Sequence, residues 1–478
     1  MKPADNGLIQ LHLGLGSFHR AHQAVYMQSL HDQGDTRWSI TGGNIRPDML
    51  ETIDALQTQN GAYTLETVSP AGHREYKKIE SITSVIDWDP ELAGLVEVAT
   101  DPATRIISFT VTEAGYYQDE HAKLDRSFDD LNKDLSGETR ATIYGALATL
   151  LDARMKANAG KVTLLNCDNL RSNGHRIAAG LQEFLQIRGD TELLNWVMEN
   201  TSTPDSMVDR ITPRPTPDVM ERVKAATGVE DPAAIMGEDF IQWVIEDNFV
   251  AGRPAWETVG VEMVSDVMPF EEAKIRLLNA THSCIAWAGT LRGYEFIHEG
   301  TLDPEIRQLA YDYVTDDVIP CLDRPEAPCP LDLQKYRDVV LDRFGNPNIE
   351  DTNQRVVMDG YSKIPGFILP TLEEAVAAGR SIDSVAMLPA LFLEFLKRQQ
   401  RGELSYTYQD QAMDPASASM ICNAEDSILA FASDTLLFGQ LAGHEALVKA
   451  LRVASARVED FIQSSKLSFE SEQIASVG

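Results

Sequence analysis

Two runs, Arg105-Ile-Ile-Ser-Phe-Thr-Val-Thr112 and Lys161-Val-Thr-Leu-Leu-Asn-Cys167, constrain the fold of this chain more than any other feature. Each is short, nearly all apolar and rich in β-branched residues, as a strand buried on both faces must be. Such strands belong to mostly parallel sheets with helices on either side. Residues 9–14 and 38–41 read as further strands, with helical periodicity over about 19–31, 47–56, 139–157 and 174–187. Residues 62–69 and 73–82 read as a hairpin turning at Pro70-Ala-Gly72. Past about residue 265 the periodic segments are helical, at 269–292, 303–321, 330–343, 371–377, 386–400 and 441–463. The expectation is therefore an α/β domain over residues 1–264, followed by a mainly α-helical domain over 265–478.

Charge narrows the partners. With 41 Lys+Arg against 73 Asp+Glu the formal charge is −32, a field that repels phosphate backbones and anionic membrane surfaces. Nucleic acid and membrane are not expected partners, and a bound anion needs a local site of its own. The five cysteines form no Cys-x-x-Cys pair, and no His/Cys/Glu cluster has zinc spacing, so neither a disulfide framework nor a metal site is expected. The N-terminus runs into a strand pattern without an apolar leader, and no apolar run is long enough for a membrane span. The expected location is the cytoplasm.

Where the first strand meets the first helix stands Gly14-Leu-Gly16-Ser-Phe-His-Arg20. Two glycines at this spacing permit a tight turn and close backbone approach, and a helix start offers amides to a pyrophosphate. His19 occupies the place of the usual third glycine, and Arg20 is available for phosphate pairing. The first domain is thus expected to be Rossmann-like. Asp48 is the nearest acid after the second strand for the adenosine ribose, which favours NAD, while Arg46 could serve a 2′-phosphate. Thr112-Glu-Ala-Gly-Tyr116 ends a buried strand at the edge where open α/β sheets bind ligands; there Glu113 could orient water or a proton path. Together with Phe18 and His19, these make the candidate cofactor set. Asn166-Cys-Asp-Asn169 ends the other buried strand, where polar side chains are either helix caps or site residues.

The segment Lys274-Ile-Arg-Leu-Leu-Asn-Ala-Thr-His282, entered from Pro269-Phe-Glu-Glu, reads as a helix. At about 100° per residue, Asn279 lies roughly 140° and His282 roughly 80° round from Lys274, so all three heads can project to one side. Such a group could remove a proton and hold an alkoxide; a solvated helix face is the plain alternative. No Tyr has a Lys four residues on, which leaves Lys274 the best general base for an alcohol.

In order along the chain stand Gly14-x-Gly-x-Phe-His-Arg-Ala-His22, Thr112-Glu-x-Gly-Tyr, Cys167-Asp-Asn with Asn173-Gly, Gln242-Trp-Val-Ile-Glu-Asp247 and Lys274-x-x-x-x-Asn-x-x-His282. Over roughly residues 8–460 this set resembles the polyol-specific long-chain dehydrogenases of the mannitol dehydrogenase family. The resemblance implies a zinc-independent, NAD-dependent oxidation of a polyol secondary alcohol to a ketose. It implies Lys274 as general base, Asn169 and Asn279 as alkoxide clamp, His282 on the substrate oxygen and Glu271 as proton relay. It also implies Asp209, Arg355 and Lys363 as grips on distal hydroxyls. A free lysine titrates near ~10.4 and a useful base near ~7–8, so burial and a positive nicotinamide ring would have to lower Lys274. Three runs, from Trp38, Tyr63 and Leu164, look closest to members that convert D-arabinitol to D-xylulose. D-mannitol to D-fructose is the nearest rival, and hexuronate reduction follows. A dinucleotide-binding redox sensor and a sugar hydro-lyase or epimerase are the other classes. A monomer is expected.

Overall fold

The computed structural model describes residues 7–476 except 112, 120 and 121; side chains at 113, 114 and beyond 463 are not described. The chain divides into two compact units, residues 1–69 with 73–268 and residues 70–72 with 269–478.

The strands of the first unit begin with β1 (Leu8–Leu13), β2 (Trp38–Gly43), β3 (Tyr63–Val68), β4 (Arg74–Ile79), β5 (Ile82–Ile86) and β6 (Thr104–Phe109). They continue with β7 (Val162–Asn166), β8 (Thr201–Ser202), β9 (Ser206–Asp209), β10 (Ile235–Glu238), β11 (Gln242–Glu246) and β12 (Glu262–Val264). Six of them form one sheet in the order β5-β2-β1-β6-β7-β8, every neighbouring pair parallel. Among these six the chain order is thus 3-2-1-4-5-6, the doubly wound Rossmann arrangement, and the winding reverses between β1 and β6.

The apolar runs at β6 and β7 explain the layering, because alternate side chains serve opposite faces. Ile107, Phe109 and Leu164 join Leu147, Leu151 and Phe184 in one core, while Ile106 and Leu165 join Met27, Leu30 and Trp243 in the other. β3 and β4 form the expected antiparallel hairpin, Tyr63↔Ile79 through Val68↔Arg74, and β10 pairs parallel to β3.

The first helix departs from expectation. Instead of one run over 19–31 the structure has helices Ser17–Ala21 and Gln23–Asp32, broken at His22. That residue sits at φ −126°, ψ −85°, with its ring Nε2 held 2.8 Å from the Gln242 carbonyl of β11. A tertiary hydrogen bond thus wins over local helical preference.

Among the described residues of the second unit the regular elements are all helices, joined by loops. Its centre is helix Ala280–Arg292, buried around most of its circumference by Ala280, Cys284, Ile285, Ala286, Trp287, Ala288 and Leu291. A helix apolar on all sides belongs inside a core. Helices Ile297–Leu302, Asn353–Val357 and Met387–Gln400 pack around it. Leading into it are helix Met268–Ala273 and a π-helical segment, Lys274–Asn279.

Candidate active site

In the first unit, a cleft of about 740 Å³ opens at the carboxyl ends of β1, β2, β6 and β7, where the winding reverses. Gly14 and Gly16 line it, and the structure separates their roles. Gly14 has φ +106°, and a Cβ there would lie 2.5 Å from the Thr110 carbonyl oxygen. Only glycine fits. Gly16 meets nothing within 4 Å, so its missing side chain leaves room on the cleft side. A backbone cradle at the switch point fits the pyrophosphate of a dinucleotide.

Phe18 and Asp48 line the same cleft, as do Asn44, Arg46, Val111, Gly115, Tyr117 and Asn169. Asn44 was not singled out by sequence reasoning, although it ties the rim together. Its Oδ1 accepts from the Leu15 amide at 2.9 Å and its Nδ2 donates to the Asp48 carbonyl at 3.1 Å. Arg46 donates from Nε to the Ala141 carbonyl (2.7 Å) and from Nη2 to Asp130 (3.0 Å) and the Tyr117 hydroxyl. Thr112 lies outside the described residues, and nothing is described of the Glu113 side chain.

Two expected cofactor residues turn away. Arg20 is 2% exposed and donates to the Leu15 carbonyl at 3.2 Å and to the Ala233 carbonyl at 2.5 Å. It braces the glycine turn from behind, which corrects the expectation of phosphate pairing. His19 is fully buried, stacked on His12 at 3.4 Å between ring centroids, with Nδ1 3.2 Å from Gln23 Oε1. Burial, then the neighbouring His12, push its imidazole well below the usual range. Both belong to the turn's support, and neither lines the cleft.

The polar motif after β7 caps no helix; most of it ties loops together. Asn166 donates to the Tyr116 hydroxyl (2.6 Å) and the Asn173 carbonyl (2.8 Å). Asp168 accepts from the Val111 amide (2.9 Å) and the Tyr116 hydroxyl (2.6 Å), and Asn173 donates to the Asp168 carbonyl (2.9 Å). These three lock the loops beyond β6 and β7 together and leave Asn169 exposed on the cleft. Asp209 ends β9, buried and in register with Gln242 of β11, and is not among the residues lining the cleft.

In the second unit Glu271 and Lys274 are 4% and 5% exposed, on consecutive turns of the helix entering the core. The expectation of uniform helical spacing is corrected at this point. Lys274–Asn279 is π-helical, so Asn279 comes round nearer the azimuth of Lys274, roughly 50° away rather than about 140°. Tyr313 supports this irregular turn, its hydroxyl donating to the Arg276 carbonyl at 2.6 Å. The Arg276 side chain anchors it to helix Leu369–Ala377 through Thr371 (3.0 Å) and Glu374 (2.8 Å).

His282, Arg355 and Lys363, 81 residues apart in sequence at the extremes, belong to one cluster here (363 − 282 = 81). The His282 ring stacks on Phe344 with centroids 4.3 Å apart, and Nε2 lies 3.2 Å from Asp351 Oδ2, bent away from a straight hydrogen bond. Desolvation pushes the imidazole below its usual range, against the opposing pull of Asp351. Burial alone would raise the Asp351 carboxyl; His282 and Arg355 outweigh it and hold that carboxyl well below the usual carboxylate range. Lys363 donates to the Val356 carbonyl, and burial brings its amine down to about 8. Asp351 was missed by sequence reasoning; its only signal was the four-residue spacing to Arg355.

No group of three or more His, Cys, Asp or Glu placed to hold a metal ion occurs among the described residues. Nor is any described helix long and apolar enough to cross a membrane.

Comparison with known proteins places these features in a lineage. Residues 9–258 match the mannitol dehydrogenase Rossmann domain, and residues 266–459 match the mannitol dehydrogenase C-terminal domain. A D-arabinitol 4-dehydrogenase of Ralstonia nicotianae is 60% identical, over 94% of this chain and 96% of that protein. A second D-arabinitol 4-dehydrogenase, from Klebsiella pneumoniae, is 51% identical over 96% of this chain and all of the relative (100%). Among solved structures, a Pseudomonas fluorescens mannitol 2-dehydrogenase in ternary complex with NAD and D-mannitol superposes with TM-score 0.81. It is 31% identical and covers 98% of this chain and 96% of its own.

Proposed function

Because the chain belongs to the mannitol dehydrogenase family of oxidoreductases, we propose that it oxidises D-arabinitol to D-xylulose with NAD. The choice of polyol is carried by the two relatives of high identity, which match along nearly their whole length and act on D-arabinitol by name. NAD would be held by the glycine cradle and the rim at Asn44 and Asp48, and would supply the acceptor for the hydride of the carbinol carbon.

This chain's own residues manage the proton and the charge. Lys274 takes the hydroxyl proton, and Glu271, one turn earlier, passes it toward solvent. Asn169 and Asn279 donate to the oxygen as it becomes an alkoxide, and each such donor is worth roughly 10²–10³ in rate. Lys274, Asn279 and His282 are carried by one continuous helical run packed in the core, which would fix their geometry before substrate arrives. His282 hydrogen-bonds the reacting oxygen, and Asp209, Arg355 and Lys363 grip the distal hydroxyls.

The rival substrate is D-mannitol, which a structural neighbour carries with NAD. Parallel assays of NADH formation from NAD and each polyol decide between them. The proposal expects the higher kcat/KM on D-arabinitol, and a loss of about 10²–10⁴ in kcat for Lys274→Ala. Higher kcat/KM on D-mannitol would move the substrate, and full activity of Lys274→Ala would remove the assigned base.

A further inference from the structure

One carboxylate serves two of the substrate-facing groups at once. Asp351 accepts both arms of the Arg355 guanidinium, Nε at 2.6 Å and Nη2 at 2.5 Å, while its Oδ2 lies 3.2 Å from His282 Nε2. Its side chain is 10% exposed, whereas that of Arg355 is 65% exposed, so the arginine reaches outward from a buried anchor. The anchor is itself pinned. Glu350, just before it, has φ +52°, and the Asp351 carbonyl accepts from the Ile297 amide at 2.8 Å. Thr352, just after it, caps helix Asn353–Val357 by accepting from the Arg355 amide at 3.2 Å.

A planar guanidinium held by two parallel bonds has its orientation fixed, and the same carboxylate confines one edge of the His282 ring, 3.2 Å from Nε2 without a straight hydrogen bond to it. Asp351 thus bears on both side chains at once. We propose that Asp351 is a positioning residue for substrate, orienting Arg355 and His282 together. This rests on the polyol reading given above, in which those two residues contact the substrate.

The test uses the full chain with Asp351→Asn, Asp351→Glu, Arg355→Ala and the Asp351→Asn/Arg355→Ala pair. NADH affinity is followed by fluorescence, and rates are normalised to the NADH-binding fraction so that partial unfolding does not count. Asp351→Asn is expected to raise the polyol KM between about tenfold and a hundredfold, with NADH affinity within about twofold of wild type. Asp351→Glu, which keeps the charge, brings KM back to within roughly threefold, and the double variant is no worse than the poorer single one.

A polyol KM for Asp351→Asn that stays at the wild-type value would overturn the proposal. So would equal damage by the Glu and Asn variants, or additive effects in the pair. A wild-type protein that oxidises neither D-arabinitol nor D-mannitol fails differently: it removes the polyol reading, and this proposal falls with it.

Discussion

The buried amine of Lys363 gives the proposed substrate grip a pH limit. Desolvation brings its titration down to about 8, opposed by Asp359 and aided by Arg355. In its proposed role it grips a hydroxyl as a cation below that pH; above it the charge is gone. The polyol KM is therefore expected to be flat near neutrality and to climb as pH rises through about 8, while Lys363→Arg, which stays charged, abolishes the climb. Stability moves the opposite way. An unfolded lysine titrates near ~10.4, so between about pH 8 and that value the unfolded chain binds more protons, and stability rises with pH. Thermal melts of wild type and Lys363→Met across that window measure this directly. The clamp is tested separately. Asn169→Ala and Asn279→Ala should each lower kcat by roughly 10²–10³, and for Asn279→Ala, outside the cofactor cleft, Kd for NADH should be unchanged in fluorescence titration.

At the scale of elements, the glycine turn allows two effects to be separated. Gly14→Ala forces a side chain into a left-handed backbone, 2.5 Å from the Thr110 carbonyl. It should lower Tm and cofactor affinity together. Gly16→Ala meets nothing within 4 Å, so Tm should hold while Kd for NADH rises, because only a bound ligand feels the added methyl. Equal loss of Tm in both variants would contradict this division.

The same elements show where reading the sequence succeeds. Strand-turn-helix order and Gly14-x-Gly16 were legible because they are local patterns. So were the buried runs at β6 and β7, whose composition follows from having two covered faces. What was not legible depends on partners far along the chain. His22 breaks its helix for a carbonyl 220 residues away. Arg20 is drawn behind the turn by the Ala233 carbonyl, against the plain expectation that an arginine near a phosphate site faces the phosphate. The π segment at Lys274–Asn279 leaves no mark on periodicity over six residues, and its support from Tyr313 lies 37 residues on.

For the whole molecule the dominant quantity is a net charge of −32. So many like charges destabilise a compact state through self-repulsion, and salt screens them over about 8–10 Å at physiological strength. Tm is expected to rise from low salt to ~0.15 M sodium chloride, a trend that scanning calorimetry would reveal. A Tm that falls with salt would mean that attractive pairs such as Arg276–Glu374 and Arg355–Asp351 outweigh the general repulsion.

In the proposed reaction a carbinol gives up hydride to the cofactor while Lys274 takes only the hydroxyl proton. D-arabinitol deuterated on the reacting carbinol carbon tests it in one incubation with NAD, read by mass spectrometry of the cofactor. Deuterium is expected in the reduced nicotinamide, formed in step with ketose. Deuterium released to solvent instead would show that the carbon loses a proton, and would contradict the dehydrogenase mechanism assigned to this site.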